Sequence, residues 1–342
     1  MIKFALIARE GVGLRVAIVK LSAMGDIIHA MVALQFIKQR VPNLQIDWIV
    51  ESAFAPILEK NRDIDNILTL NLKAIKKSKK AIFDEIKRVK SYAKNSYDLV
   101  IDAQGLIKSA LTSKLLGKRV AGFSKSSIRE GVASYFYNFK VDIDYAANTI
   151  DRNVKVIGEP LGVKINKDDI LNKEPFLFFE PSAKIEPLLS KNRKNIVFVI
   201  GSTWESRNYP KEKFLEIAKA LKESILVVWG NEDEHTKALW LESKSRYIKA
   251  VPKLNLNELK ELIAKSDLTI GNDTGPTHMA WGFNRPSITI FGPTPISRVY
   301  ITDINKVIKS SSKVNPYKLN KQDFSIGEIN PQDIVSIAKE LI

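Results

Sequence analysis

Cysteine is absent from the chain. That excludes disulfides, thiolate nucleophiles and cysteine-zinc sites, and it suits a reducing compartment. Histidine is nearly absent. His29, His235 and His278 are far apart, which leaves no imidazole set for a zinc cage. Long apolar runs are also missing. The early Phe4-Ala5-Leu6-Ile7-Ala8 run is broken by Arg9-Glu10 and is too short for a signal-peptide core or a membrane span. A cytoplasmic location is the expectation. Acidic residues are the minority: 38 Asp and Glu face 53 Lys and Arg, for a net charge of +15. A partner of negative charge is implied, whether lipid, nucleic acid or acidic substrate. Between Asn71 and Asn95 the basic excess is concentrated in Lys73, Lys76, Lys77, Lys79, Lys80, Lys87, Arg88, Lys90 and Lys94, against Asp84 and Glu85. A solvated helix face gives the same pattern. Its only aromatic residues are Phe83 and Tyr92, and no nucleic-acid module motif is present.

What is there is enough apolar sequence, 45% of 342 residues, for two ordinary cores. Residues 1–14 carry no partner pattern and read as an extension. From Arg15 onward, apolar strand-like runs alternate with helical ones. The strands are read at 15–20, 45–50, 66–70, 98–102 and 119–121. A proline-rich region at 159–194 follows, and then further strands at 195–200, 225–229, 247–250, 267–270 and 287–291. This alternation predicts an α/β protein with parallel sheets covered on both faces, in two Rossmann-like halves. The last segment, 331–342, has apolar residues at helical spacing.

Polar residues crowd into the turns that follow the strands, where open α/β sheets bind their ligands. The densest turn is Gly271-Asn272-Asp273-Thr274-Gly275-Pro276-Thr277-His278, a strand end leading into a helix start. It suits a phosphate, through free backbone N–H groups and the helix dipole, and it equally suits a plain Asp/Thr cap. Asp26 follows Gly25 after the first strand and reads either as a general base or as the N-cap of the next helix. His29 lies one turn further on. Asp102, Gln104 and Lys108 occupy the turn after another strand, with polar groups suited to acceptor hydroxyls or carboxylates. Ser202, Thr203 and Arg207 fill the turn after 195–200, and Trp229-Gly230-Asn231-Glu232-Asp233-Glu234 the one after 225–229. A carboxylate in that last turn suits ribose hydroxyls, and Glu232 and Glu234 are both candidates. Asp63-Ile64-Asp65 and Asp142-Ile143-Asp144 lack a nucleotide-site context, so no metal is expected.

Four segments together resemble the lipopolysaccharide heptosyltransferases of glycosyltransferase family 9. They are Lys20-Leu21-Ser22-Ala23-Met24-Gly25-Asp26, the run from Val100 to Ala110, Trp229-Gly230, and Asp273-Thr274-Gly275-Pro276-Thr277-His278. The Ile101–Ala110 segment and the basic stretch near Lys76 are closer to the type I enzymes than to type II. The resemblance implies a GT-B fold: two facing Rossmann-like domains with a central cleft. The N-terminal, acceptor-binding domain would span 15–165 and the C-terminal, donor-binding domain 190–325, with a helix at 326–342 packing back on the first. It implies inverting transfer of L-glycero-D-manno-heptose from ADP-heptose to the Kdo of Kdo2-lipid A. No cofactor and no nucleic acid would be involved. The chain would work as a monomer, peripherally, on the anionic cytoplasmic face of the inner membrane. By the same resemblance Asp26 is the catalytic base and Arg207 stabilises the leaving ADP. Ser202, Thr203, Trp229, Glu234, Leu254, Asp273, Thr274, Gly275 and His278 hold the donor. His29, Lys76, Lys77, Lys79, Asp102, Gln104, Lys108 and Arg129 hold the acceptor. A type II heptosyltransferase or another family 9 nucleotide-sugar transferase is the alternative enzyme; a non-catalytic nucleotide- or polyanion-binding protein is the alternative of another class.

Overall fold

The structure, a computed structural model, describes residues 13–75 and 78–342. The reading of residues 1–12 as part of an extension lies outside the described residues, as do Lys76, Lys77 and the side chain of Lys79. The chain divides into two compact units between Phe176 and Leu177, inside the proline-rich region.

The first unit holds a six-stranded parallel sheet: β1 (Arg15–Val19), β2 (Gln45–Glu51), β3 (Asn66–Leu70), β4 (Leu99–Asp102), β5 (Val120–Phe123) and β6 (Phe139–Val141). The second holds another: β7 (Asn195–Val199), β8 (Ser224–Val228), β9 (Ile248–Ala250), β10 (Leu268–Asn272), β11 (Ser287–Phe291) and β12 (Asn305–Lys309). Their orders are β3-β2-β1-β4-β5-β6 and β12-β11-β10-β7-β8-β9. Renumbered within its unit, the second order is the first one reversed. The two sheets therefore share one topology, and strand order reverses between β1 and β4 and between β10 and β7.

The apolar runs become central strands because helices cover both faces of a parallel sheet. Val16, Ala17, Ile18 and Val19 are fully buried, as are Ile196, Val197 and Phe198. In β10 even the small polar residues are enclosed. A Cβ on Gly271 would lie 2.5 Å from the Val199 Cβ and 2.8 Å from its carbonyl oxygen, so only glycine lets β7 and β10 approach this closely.

The C-terminal helix, Pro331–Leu341, buries Ile334, Val335 and Ala338 in one core with Phe214, Ile217, Ala218 and Leu221 of the Lys211–Leu221 helix. Its apolar stripe is thus used by the second unit's own sheet.

Lys173, near the end of the first unit, is 6% exposed, and its Nζ lies 5.4 Å from the centre of the Phe176 ring. Burial pushes its pKa down to about 7. The unfolded chain holds that proton up to about pH 10.4, so between these values the unfolded state binds more protons and stability rises with pH. The melting temperature should climb from pH 7 to pH 10 by an increment that Lys173→Met removes. Parallel pH profiles of the two proteins would refute this.

Candidate active site

β1 and β4 are neighbours, with Val19 in register with Asp102, so the loops that leave their C-terminal ends run side by side. Asp26 sits in the first turn of the Met24–Met31 helix. It is half-buried, and its Oδ2 accepts the Ala23 N–H at 3.3 Å. It is therefore not the N-cap residue; it reaches back from inside the helix to the cap's own N–H. Gln104 reaches across from the neighbouring loop. Its Oε1 accepts Leu21 N–H and Ser22 N–H, both at 3.1 Å, and so ties the loop that carries Asp26 to the end of β4.

Asp102 is expected on the acceptor; the structure places it at the end of β4, with its side chain inside the loop that follows. The side chain is fully buried. Oδ1 accepts Gln104 N–H (2.9 Å) and Gly105 N–H (3.0 Å), while Oδ2 accepts the hydroxyls of Ser109 (2.8 Å) and Tyr137 (2.7 Å). Burial pushes its carboxyl up, and the four donors oppose that shift. Asp102 shapes the 102–109 turn and has no surface for a ligand. His29 is likewise interior, at 2% exposed.

Lys108 and Arg129 are exposed. They come from adjacent segments, because Glu130 accepts Ile107 N–H at 2.8 Å and Ile128 packs on Gly105. Gly105 has φ +71°, and a Cβ there would meet Ile128 at 2.7 Å, so this close approach also needs glycine.

Lys20 was not among the expected site residues. It is 6% exposed at the end of β1, and its Nζ donates to Ala103 O (2.8 Å) and to Asn153 Oδ1 (3.0 Å). Burial lowers its pKa; the charges of Asp26 and then Asp102 work the other way. A lysine ending an otherwise apolar strand is the signal that could have found it.

In the second unit, β7 and β10 are the neighbouring pair. Asn272 links their loops: its Nδ2 donates to Ile200 O (2.8 Å) and its Oδ1 accepts Tyr209 N–H (3.0 Å). Next to it lies a compact charged cluster. Asp273 is 1% exposed. Its Oδ1 is 3.1 Å from His278 Nε2; its Oδ2 accepts Arg207 Nη2 and Thr294 Oγ1, both at 2.9 Å, and lies 3.8 Å from Arg298 Nη1. Arg207 Nη2 also donates to the Asp273 carbonyl oxygen. Burial alone would raise the Asp273 pKa, but Arg298, the His278 bond and Arg207 outweigh it and hold the carboxyl well below the usual range. Asp273 is thus the anchor of a cationic cluster. Asp273 is expected on the donor together with Thr274, Gly275 and His278, and in the structure its carboxylate is held by Arg207, Thr294 and His278. Thr294 and Arg298 belong to the same cluster and were not foreseen.

Thr274 precedes the Gly275–Gly282 helix as its N-cap residue, without a side-chain cap bond, and is half-buried. Ser202 Oγ donates to Trp204 O (2.9 Å), and Thr203 is exposed in the same loop. The two glutamates point in different directions. Glu232 is 90% exposed and lies 3.7 Å from His235. Glu234 turns inward, accepting Gly230 N–H at 2.6 Å and Asn231 Nδ2 at 2.9 Å. A Cβ on Gly201 would lie 2.1 Å from the Glu234 carboxyl, so this carboxylate rests against the end of the β7 loop. Gly201→Ala should therefore push Glu234 aside. The expected result is about a tenfold rise in donor KM with little change in melting temperature. An unchanged KM would remove Glu234 from the donor site. Trp229 Nε1 donates to Val251 O (2.7 Å), His235 stacks on the indole at 3.9 Å, and Lys253 Nζ lies 4.4 Å from the ring centre. Leu254 is half-buried in the same segment.

Among the described residues, no group of His, Cys, Asp or Glu could hold a metal ion, and no helix is long and apolar enough to cross a membrane.

Two parallel sheets of one topology, with polar loops gathered at both reversal points, give this chain the GT-B fold. The structure of E. coli heptosyltransferase WaaC with ADP-2-deoxy-2-fluoro heptose superimposes with a TM-score of 0.77 and 24% identity, covering 96% of this chain and 99% of that one. The family model for glycosyltransferase family 9 (heptosyltransferase) matches residues 86–326, and the chain belongs to that family. Lipopolysaccharide heptosyltransferase 1 of Campylobacter coli is 39% identical over 96% of this chain and 99% of its own length. The protein of the same name from Escherichia coli K12 is 29% identical over 90% and 97%.

Proposed function

We propose that this heptosyltransferase acts as a type I enzyme, moving L-glycero-D-manno-heptose from ADP-heptose to the Kdo of Kdo2-lipid A in lipopolysaccharide inner-core synthesis. The relatives named lipopolysaccharide heptosyltransferase 1 support this, as does the ADP-heptose analogue named for the E. coli structure. The observation that carries the chemistry is Asp26, a half-buried carboxylate on the first turn of a helix at the β1–β4 reversal point.

An acceptor hydroxyl oxygen attacks the anomeric carbon of the donor heptose, and its proton passes to Asp26. One C–O bond forms as the bond to the ADP phosphate breaks, with inversion. ADP is already a good leaving group, so no second carboxylic acid is needed. In the second unit Arg207, the Thr274–Gly275 helix start, Ser202 and Thr203 stabilise the diphosphate charge that develops. Asp273 and His278 hold Arg207 in place; Glu234 takes the ribose and Leu254 the adenine, with Trp229 as the wall behind them. Gln104, Lys108 and Arg129 meet the acceptor's hydroxyls and acidic groups, together with the basic stretch of Lys76, Lys77 and Lys79. The enzyme works as a monomer at the cytoplasmic face of the inner membrane.

The test is incubation with ADP-heptose and Kdo2-lipid A, followed by mass analysis. A gain of one heptosyl residue is expected. No gain with ADP-heptose, and transfer from another nucleotide sugar, would overturn the reading.

A further inference from the structure

Three neighbouring elements of the first unit turn apolar side chains outward. In the Lys79–Tyr92 helix Phe83 is 72% exposed, with Ile82 and Ile86 beside it. In the Ile107–Leu116 helix, which packs against the first, Ile107, Leu111 and Leu115 are all exposed. Their spacing of four residues puts them in one line along the helix. This helix buries Ala110 and Leu116 on its inner side, so it is apolar inside and out. The Gly131–Phe136 turn packs on it and adds Val132 and Tyr135, the latter 70% exposed. Scattered surface apolar residues are ordinary, but eight of them on three packed elements are not. Exposed lysines border it: Lys80, Lys87 and Lys90 on one helix, Lys108 and Lys114 on the other.

We propose that this face docks on an anionic lipid bilayer, with Phe83, Leu111 and Tyr135 entering the headgroup layer and the lysines bound to lipid phosphates. An apolar centre with a cationic rim matches that partner in both respects. A second copy of the chain matches it poorly, since a two-fold pairing would set one lysine rim against another. A nucleic acid would meet aliphatic Ile and Leu side chains where it needs stacking rings. The face begins at Ile107 and Lys108, at the loop assigned above to the acceptor. Its purpose, delivery of a lipid-borne acceptor, rests on the proposed function; the binding itself does not.

The experiment is sedimentation of the full chain with vesicles of phosphatidylcholine alone and with vesicles containing phosphatidylglycerol. The wild type should bind the anionic vesicles selectively. The triple variant Phe83→Ser, Leu111→Ser, Tyr135→Ser should bind about tenfold more weakly, keep its melting temperature, and transfer to a deacylated, water-soluble acceptor as before. The single variant Phe83→Glu should show the same direction with less disturbance. Wild-type binding in both variants, no vesicle binding by the wild type, or a wild-type dimer abolished by the triple variant would each overturn the proposal. Vesicle binding requires neither donor nor acceptor. A chain that binds vesicles but transfers no heptose would defeat the functional reading and leave the docking face standing.

Discussion

Asp26→Asn should lower kcat by about 10²–10⁴-fold, the usual contribution of a positioned general base. That is about 3–5 kcal/mol of barrier. Asparagine has nearly the same shape and still presents an oxygen to the Ala23 N–H, so the helix start should survive. What it lacks is a site for the acceptor's proton. Asp26→Ala should lose as much turnover, with a small further loss of helix stability from the missing bond to the cap N–H. ADP affinity measured by calorimetry should stay within about twofold in both variants, because Asp26 belongs to the first unit and the residues proposed for the nucleotide to the second. Turnover near the wild-type rate in either variant would end the assignment. A parallel loss of ADP affinity would show general damage instead.

Asp273→Asn should be the most damaging single change to stability, at about 3–5 kcal/mol, as when one partner of a buried ion pair is removed. Asparagine fits the space, but Arg207 and Arg298 would then share one region without the carboxylate that lies 2.9 and 3.8 Å from them. Urea unfolding measures the loss, and the pH dependence identifies its cause. The native pKa of Asp273 is depressed, so below about pH 4 the unfolded state binds a proton that the native state does not. Stability from this group is complete above that pH and is lost as the pH falls. The wild type should therefore lose more stability than the asparagine variant on acidification. An asparagine variant as stable as the wild type would mean that the cluster contributes nothing net. Turnover should fall with stability, since Arg207 loses the partner that orients it.

The fold was legible because central parallel strands are buried on both faces and read as plain apolar runs, Val16–Val19 and Ile196–Val199 being the clearest. Two of the edge strands, β6 and β12, were not. β6 is three residues long with a lysine at its centre, and β12 is Asn-Lys-Val-Ile-Lys; strands with one unpaired side are kept short or charged, which erases the pattern. The Thr149–Gly158 helix went unread as well, and with it Asn153, the partner of Lys20. At the candidate site the sequence marks the loops and not the allegiances within them. Asp102 and Asp273 stand in motifs as readily as Asp26 does, yet both carboxylates are also bound by side chains distant in the chain, Tyr137 for one and Arg207 and Thr294 for the other. Glu232 and Glu234 are two residues apart, and only the turn of the helix sends one to solvent and the other toward Gly201.

The bonds from Asn272 and Asp273 to Ile200, Tyr209 and Arg207 join two loops that are far apart in sequence. Substitutions made separately in 200–209 and in 271–278 will therefore not combine additively. A change tolerated in one loop depends on which residue stands in the other, so the two segments form a single heritable unit. Exchanging these loops among relatives requires moving both together.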